Sequence, residues 1–526
     1  TKCDVATNRN IPENCMQKSL LSLAAVASLV MAINVRASAV SASQPGCANQ
    51  TPQQCIDLAI DAMGGRERLD QIKNVRLQTI GHTLLTEQSY RQAPFITSYE
   101  RDQITIDFVN QRVLTEAKST WPESDANQAD SETTVISTPN GGVYHTKDAD
   151  IPCSRATIDS TREMLELGPE RLLLNAREAK DLHFEEPETL RSTSHAVVAF
   201  TWNKVPVRVI LNRFNHLPDA VETTQEFHDF WYFWGDVHQR IYFDNFKLFH
   251  GVVYPTNLVE ERNGTDWNST QALNVEFNVA VEDRTFAMDA KAVEKSVASP
   301  GWNRPFHLGK TANLAPGVDL FLGSWNSTVV KQSDGIVILE APISGLYTSG
   351  VLEEAKKRYP GVPVKAVLTT SDSWPHVGGV RESVAEGLPV YILDLNRPLL
   401  DRMIEAPHTL DPEALEQAKG SKKPQWKIVS EKQIVGTEAN RMELYPLRGA
   451  ATERQYMVYF PEHRLLYASD TLVLNEDGSL YDPELMREVI QAVKREGLKV
   501  ETVFAMHQGP TPWSQVVELV EKAQQS

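Results

Sequence analysis

Three short stretches in the C-terminal third end apolar runs with side chains able to hold a metal or move a proton. The first, "TTSDSWPHVGG" (residues 369–379), carries Ser371, Asp372, Ser373 and His376. The second, "YFPEHRLLYASDTL", reaches Asp470, and the third, "VFAMHQGPTPW", carries His507. Imidazoles and carboxylates are ligands of catalytic zinc and the usual carriers of protons. Taken singly, each has a plainer reading. Asp470 is then a strand-end turn residue, His507 a loop histidine, and the serines caps for a helix beginning at Gly378 or Gly379. A hydroxyl of Ser371 or Ser373 beside His376 offers another chemistry, nucleophilic rather than metal-based. The sequence has no G-x-S-x-G elbow at these serines and no S-x-x-K pair, which weighs against it.

These stretches need a frame. Beyond residue 312 strands alternate with helices: "GVDLFLG", then "TVVKQSDGIVILEAP" turning at Asp334 and Gly335, a helix in "GVLEEAKKRYP" and a strand in "VKAVLTTS". A helix in "GGVRESVAEGL", a strand in "PVYILD" and two later helices, from Pro483 and from Trp513, continue the pattern. Such alternation gives a layered α/β domain, with sites at the ends of strands.

Together the three stretches resemble the metallo-β-lactamase superfamily in order and spacing, over about residue 314 to the end. The entry "LAPGVDLFLGSWNSTVVKQSDGIVILEAP" is similar to that fold's first hairpins. The resemblance implies an αββα sandwich and metallo-hydrolase ancestry. The family's metal motif is H-x-H-x-D-H followed by Gly-Gly. Aligned on the glycines, Ser371 and Ser373 stand for the first two histidines, Pro375 for the aspartate, and His376 is the surviving histidine. "LRGAATERQYMVYFP" lacks the family's next histidine, whereas Asp470 and His507 match its bridging aspartate and last histidine. The site usually held by three histidines is therefore expected to be empty. The second keeps His376, Asp470 and His507, a two-histidine, one-carboxylate set competent for one zinc or other divalent metal. Asp372 is a further candidate, as a fourth ligand or a general base. The other expectation is a protein that has shed its metal and keeps a pocket.

Upstream lies a different texture. "TPQQCIDLAIDAMGGRERLDQIKNV" reads as an amphipathic helix stopped at Gly64 and Gly65, and from Val75 to about Phe286 alternating and β-branched runs predict an antiparallel β-rich domain. A helical insertion, "IDSTREMLELGPERLLLNAREA", interrupts it. "HDFWYFWGDVHQRIYF" reads as strand aromatics paired within the sheet. The opening "AMGGRERLDQIKNVRLQTIG" and the close "FHGVVYPTNLVEERNG" with "ALNVEFNVAVEDRTFAM" resemble LolA/LolB-like half-barrel domains. That resemblance implies an apolar cavity and a hydrophobic ligand.

"MQKSLLSLAAVASLVMAINVRASAVSA" has the layout of a secretory signal peptide, which implies export to the periplasm or outside. Residues 1–15 are read as an upstream translation artefact, 16–39 as the signal, 45–292 as the β-rich domain, 293–312 as a linker and 313–526 as the metallo-β-lactamase-like domain. Of the three cysteines left after cleavage, Cys47 and Cys55 are close enough in sequence to pair, and Cys153 is the remaining one. A formal charge of −17 without a basic cluster argues against nucleic acid as a partner. No later segment is long and apolar enough to span a membrane. Two functions follow: an exported hydrolase acting through one metal on a small ester, amide, lactone or phosphoester, or a metal-free periplasmic binding or scaffold protein.

Overall fold

The computed structural model describes residues 43–86, 95–121, 131–323, 325–418 and 420–524. The expected signal peptide and the residues before it lie outside the described residues. The helix Pro52–Ala62 starts where Thr51 accepts from the Gln54 amide, Gln54 reaches back to the Thr51 amide, and Pro52 opens the first turn. Its apolar face buries Cys55, Ile56, Ala59 and Ile60. A disulfide joins Cys55 to Cys47, while Cys153 is free and buried. Gly64 ends this segment at φ +118°, with its Cα so close to the Gly251 carbonyl that a Cβ would lie 2.3 Å from that oxygen.

The β-rich domain is built on one antiparallel sheet, fourteen-stranded among the described residues. Its first strand, Asn74–Leu84, pairs with both the second, Thr97–Asp107, and the last, Thr265–Phe277. Helices Pro52–Ala62 and Leu172–Glu178 contribute Ile56, Ile60, Leu172 and Leu173 to a core shared with Val75, Ile106, Val209 and Phe243 of the sheet. The expected helical insertion is present as Arg155–Glu166 and Leu172–Glu178. A cavity of about 940 Å³ lies between this insertion and the sheet. The expected linker begins within a helix, Ala290–Val297. Its Ser296 hydroxyl accepts from the Gly142 amide at 2.9 Å, which ties it to the β-rich domain.

The aromatic segment departs from expectation. Phe230–Trp234 is a 3₁₀ turn, not strand, and the following strand begins only at Val237. Asp229 starts the turn by accepting from the Trp231 amide at 2.8 Å. Trp231, Phe233 and Trp234 surround Trp374, with ring centroids 4.9, 5.6 and 5.6 Å from it.

The C-terminal part forms the αββα sandwich. Seven strands make one sheet, beginning with antiparallel Thr311–Ala315, Val318–Phe321, Ser327–Gln332 and Gly335–Leu339. It continues with parallel Val364–Leu368, Pro389–Leu393 and Gln425–Val429. A six-stranded sheet contains Met442–Pro446, Tyr456–Phe460, Leu465–Tyr467 and Thr502–Phe504. Val330, Val337, Leu339 and Leu368 of the first sheet pack against Leu444, Val458, Phe460 and Phe504 of the second. The outer faces are covered by helices, with Val351, Leu352 and Val380 over one and Val489, Val493 and Val516 over the other. Sheet, sheet and two helical layers are the architecture that such runs of fully buried strands require. No helix among the described residues is long and apolar enough to cross a membrane.

Candidate metal centre

The three polar stretches converge because each follows a strand ending at the same edge of the sandwich. Val364–Leu368 leads to His376, Leu465–Tyr467 to Asp470, and Thr502–Phe504 to His507. Backbone bonds lock the three loops together. The Tyr456 amide donates to the Thr370 carbonyl at 3.0 Å, and the Met506 amide to Ser469 at 3.0 Å. The Ser469 hydroxyl donates to the Thr370 hydroxyl at 2.7 Å. Ser469 is left-handed, at φ +58°, which turns the chain so that Asp470 faces the other loops.

His376 sits in a short helix, Trp374–Val377, held from both sides. On one side Trp374 is gripped by the aromatic turn. On the other, Gly378 and Gly379 lie against the start of the helix Gly345–Arg358. A Cβ on Gly378 would be 2.3 Å from the Ile343 carbonyl, and one on Gly379 would be 1.9 Å from the Thr348 hydroxyl. The glycines therefore serve close packing. The serines do not cap the helix expected at Gly378 or Gly379: Val380–Ala385 starts from Gly379 with no side-chain cap, and Ser371 instead accepts from the Ser373 amide at 3.1 Å.

One donor atom each from His376, Asp470 and His507 lies within 4.8 Å of the others. His376 Nε2 is 3.1 Å from Asp470 Oδ2, and His507 Nε2 is 3.1 Å from Asp470 Oδ1. Burial works against the Asp470 charge, but the adjacent imidazoles overcome it and hold the carboxyl well below its usual range. His376 is 1% exposed, and neither ring nitrogen makes a directional hydrogen bond. A buried imidazole nitrogen 3.1 Å from one oxygen of a carboxylate, with a second imidazole 3.1 Å from the other, fits a shared cation. The donor set of two nitrogens and one oxygen fits zinc and leaves a position open for water.

Behind His376 stands a group that sequence reading missed. Glu340 is fully buried, with Oε2 3.9 Å from His376 Nδ1. It accepts from the Thr370 amide at 3.2 Å and from the Thr370 and Tyr467 hydroxyls. Burial pushes its carboxyl up, opposed by His376 and these donors. A charged residue ending the wholly apolar strand "GIVIL" was the signal available in the sequence.

The donors lie in a cavity of about 290 Å³ that also receives Ser371, Asp372, Ser373, Arg454 and Gln455. Asp372 is not drawn into the three-donor set. It is buried, and its Oδ2 lies 3.9 Å from Arg454 Nε. Gln455 accepts from the Asp470 amide at 3.2 Å and so fixes the backbone at that position. The Trp325 ring meets His507 edge-on, 5.6 Å between centroids.

No protein-family model matches the chain, and no curated protein matches it. Solved structures to which it is similar include a metallo-β-lactamase from Pontibacter korlensis, at 17% identity. That match covers 41% of this chain and 99% of that one, with a TM-score of 0.32. The DIM-1 metallo-β-lactamase is similar at 14% identity over 41% of this chain and 97% of that one, TM-score 0.32. The sec-alkylsulfatase Pisa1 from Pseudomonas sp. is similar at 12% identity over 40% of this chain and 41% of that one, TM-score 0.30.

Proposed function

We propose that this protein is an exported hydrolase that uses one divalent metal on a small ester, amide, lactone or phosphoester. The observation that supports it is the convergence of His376, Asp470 and His507 within 4.8 Å at one cavity. His376 and His507 would hold the ion through their Nε2 atoms and Asp470 through a carboxylate oxygen. A metal bound there lowers the pKa of its water toward about 7 and polarises a carbonyl or phosphoryl oxygen. The chain supplies the rest. Glu340 places a carboxylate 3.9 Å behind His376 Nδ1, where the outer partner of a ligating histidine stands. Gln455 fixes the Asp470 backbone, and Trp325 shields His507. Asp372 and Ser373 sit beside the donors. Asp372 is the candidate for accepting a proton from the attacking water, with Arg454 as its counter-charge.

Elemental analysis of the full chain purified without added metal, beside His507→Ala, tests this. About one equivalent of zinc or iron, lost in the variant, is expected; a metal-free wild type refutes it. A second reading is supported by the cavity of about 940 Å³ in the β-rich domain. Its size is that of a small-molecule site, and it suits a periplasmic binding protein taking a hydrophobic ligand without catalysis.

A further inference from the structure

The β-rich domain reaches over the metal centre. Leu85 and Ile96 follow and precede the paired strands Asn74–Leu84 and Thr97–Asp107, and they extend that ladder through a Leu85 amide to Ile96 carbonyl bond of 2.8 Å. Trp121 follows the neighbouring strand Arg112–Thr120, whose last residue is paired with Tyr99. Three adjacent strand ends thus deliver three large apolar side chains to one place. That place is the wall of the cavity holding His376, Asp470 and His507, with Trp325 also lining it. Leu85 and Ile96 are 9% and 2% exposed, so their faces are already desolvated and rigidly set.

The geometry points to a specificity wall: Leu85, Ile96 and Trp121 select substrates whose acyl group beside the scissile bond is compact and apolar. The cavity, at about 290 Å³, lies at the small end of the range of about 300–1,000 Å³ for small-molecule sites. It suits a short acyl chain or a single ring. For an ester, the oxygen of water bonds to the acyl carbon, Asp372 takes one of its protons, and the bond to the alcohol oxygen breaks with its electron pair, that oxygen receiving the proton from Asp372. The carboxylic acid releases its proton to solvent, and the acyl group remains against the wall until it leaves.

The kinetic arm of the test rests on the hydrolase reading, and the binding arm does not. In the first, metal-supplemented full chain is given p-nitrophenyl acetate, butyrate, hexanoate and decanoate. Each methylene buried on the wall is worth about fourfold, so kcat/KM rises about 15-fold from acetate to butyrate and falls again at decanoate. Trp121→Ala and Leu85→Ala compress the butyrate-to-acetate ratio toward one, and Trp121→Phe restores most of it. A ratio near one in the wild type, or one unchanged in both alanine variants, overturns the proposal. In the second arm, saturation-transfer NMR reads hexanoate against acetate. Transfer to the alkyl protons that is lost in the variants supports the wall even if no ester turns over, in which case only the hydrolase reading fails. Absent transfer, or transfer that persists in both variants because hexanoate sits in the larger cavity, overturns it. Melting curves confirm that each variant is folded.

Discussion

Trp374→Ala tests how the loop bearing His376 is held. Trp374 is 5% exposed and is surrounded by Trp231, Phe233 and Trp234, with the Phe233 ring stacked within 5° of parallel and the two indoles edge-on. Removing a buried tryptophan costs about 3–5 kcal/mol. Three aromatic pairs at about 0.5–1.5 kcal/mol each make up much of that cost. Spread over a domain of this size, the loss lowers the midpoint of thermal unfolding by about 6–20 °C. Differential scanning calorimetry reads it, because separate transitions for the two domains are visible there without a two-state assumption. A double-mutant cycle with Trp231→Ala carries the argument further. The two changes together are expected to cost less than their sum by about 1–2 kcal/mol, since each removes the partner of the other. A midpoint shift of less than 2 °C for Trp374→Ala, or strict additivity in the cycle, refutes the claim that the aromatic turn holds this loop.

Zinc at a hundredfold excess over its dissociation constant stabilises the folded chain by about 2.7 kcal/mol, so the αββα transition rises by several degrees; Asp470→Asn abolishes the rise. Glu340→Gln keeps the hydrogen-bond acceptor but removes the charge behind His376, and zinc affinity measured by competition with a chelating dye falls about 10–100-fold. In the β-rich domain, burial raises the Glu163 carboxyl to about 7, with Glu260 adding to the rise and Gln225 opposing it. A raised carboxyl pKa means that the folded state binds the proton more tightly. Its contribution is complete below about 4.5 and is lost by the time the pH has risen through 7, a change of about 3 kcal/mol. Urea midpoints taken from pH 4.5 to 8 are expected to fall accordingly in the wild type and to flatten in Glu163→Gln.

The strands and helices of the C-terminal domain were legible because its strands are continuous apolar runs broken by clear turn residues; their αββα layering was what the resemblance implied. The Gln332–Gly335 hairpin and the strand Val364–Leu368 lie where pattern alone puts them, while the helix read from Gly350 begins five residues earlier, at Gly345, where Ser344 caps it by accepting from the Tyr347 amide. His376, Asp470 and His507 were legible as strand-end polar residues. Their convergence could not be read from the residues alone, since it depends on two sheets meeting at one edge; the resemblance to the metallo-β-lactamase superfamily is what implied it. The aromatic segment misled because rings at strand spacing also suit a 3₁₀ turn; Asp229 decides, by capping the Trp231 amide. The serines of the "SDS" run look like caps, but the loop uses Ser371 to close on its own backbone. Leu85, Ile96 and Trp121 were out of reach of any local reading, lying far from the metal loop in sequence and carrying no chemistry of their own.

The pairing of the first and last strands of the β-rich domain has a mechanical consequence. Val75 lies opposite Phe277, so the chain enters and leaves that ladder at the same end. Tension applied between the two points peels the hydrogen bonds one after another instead of loading them in parallel. The chain path therefore gives the domain little stiffness against its neighbour, and the clasp of rings around Trp374 shares that load with the bonds of Asp236 to Pro407, Thr409 and Leu410. Separating the two domains at the linker would strip the clasp and leave a large apolar face open to water, so each half is expected to be a poor proxy for the whole.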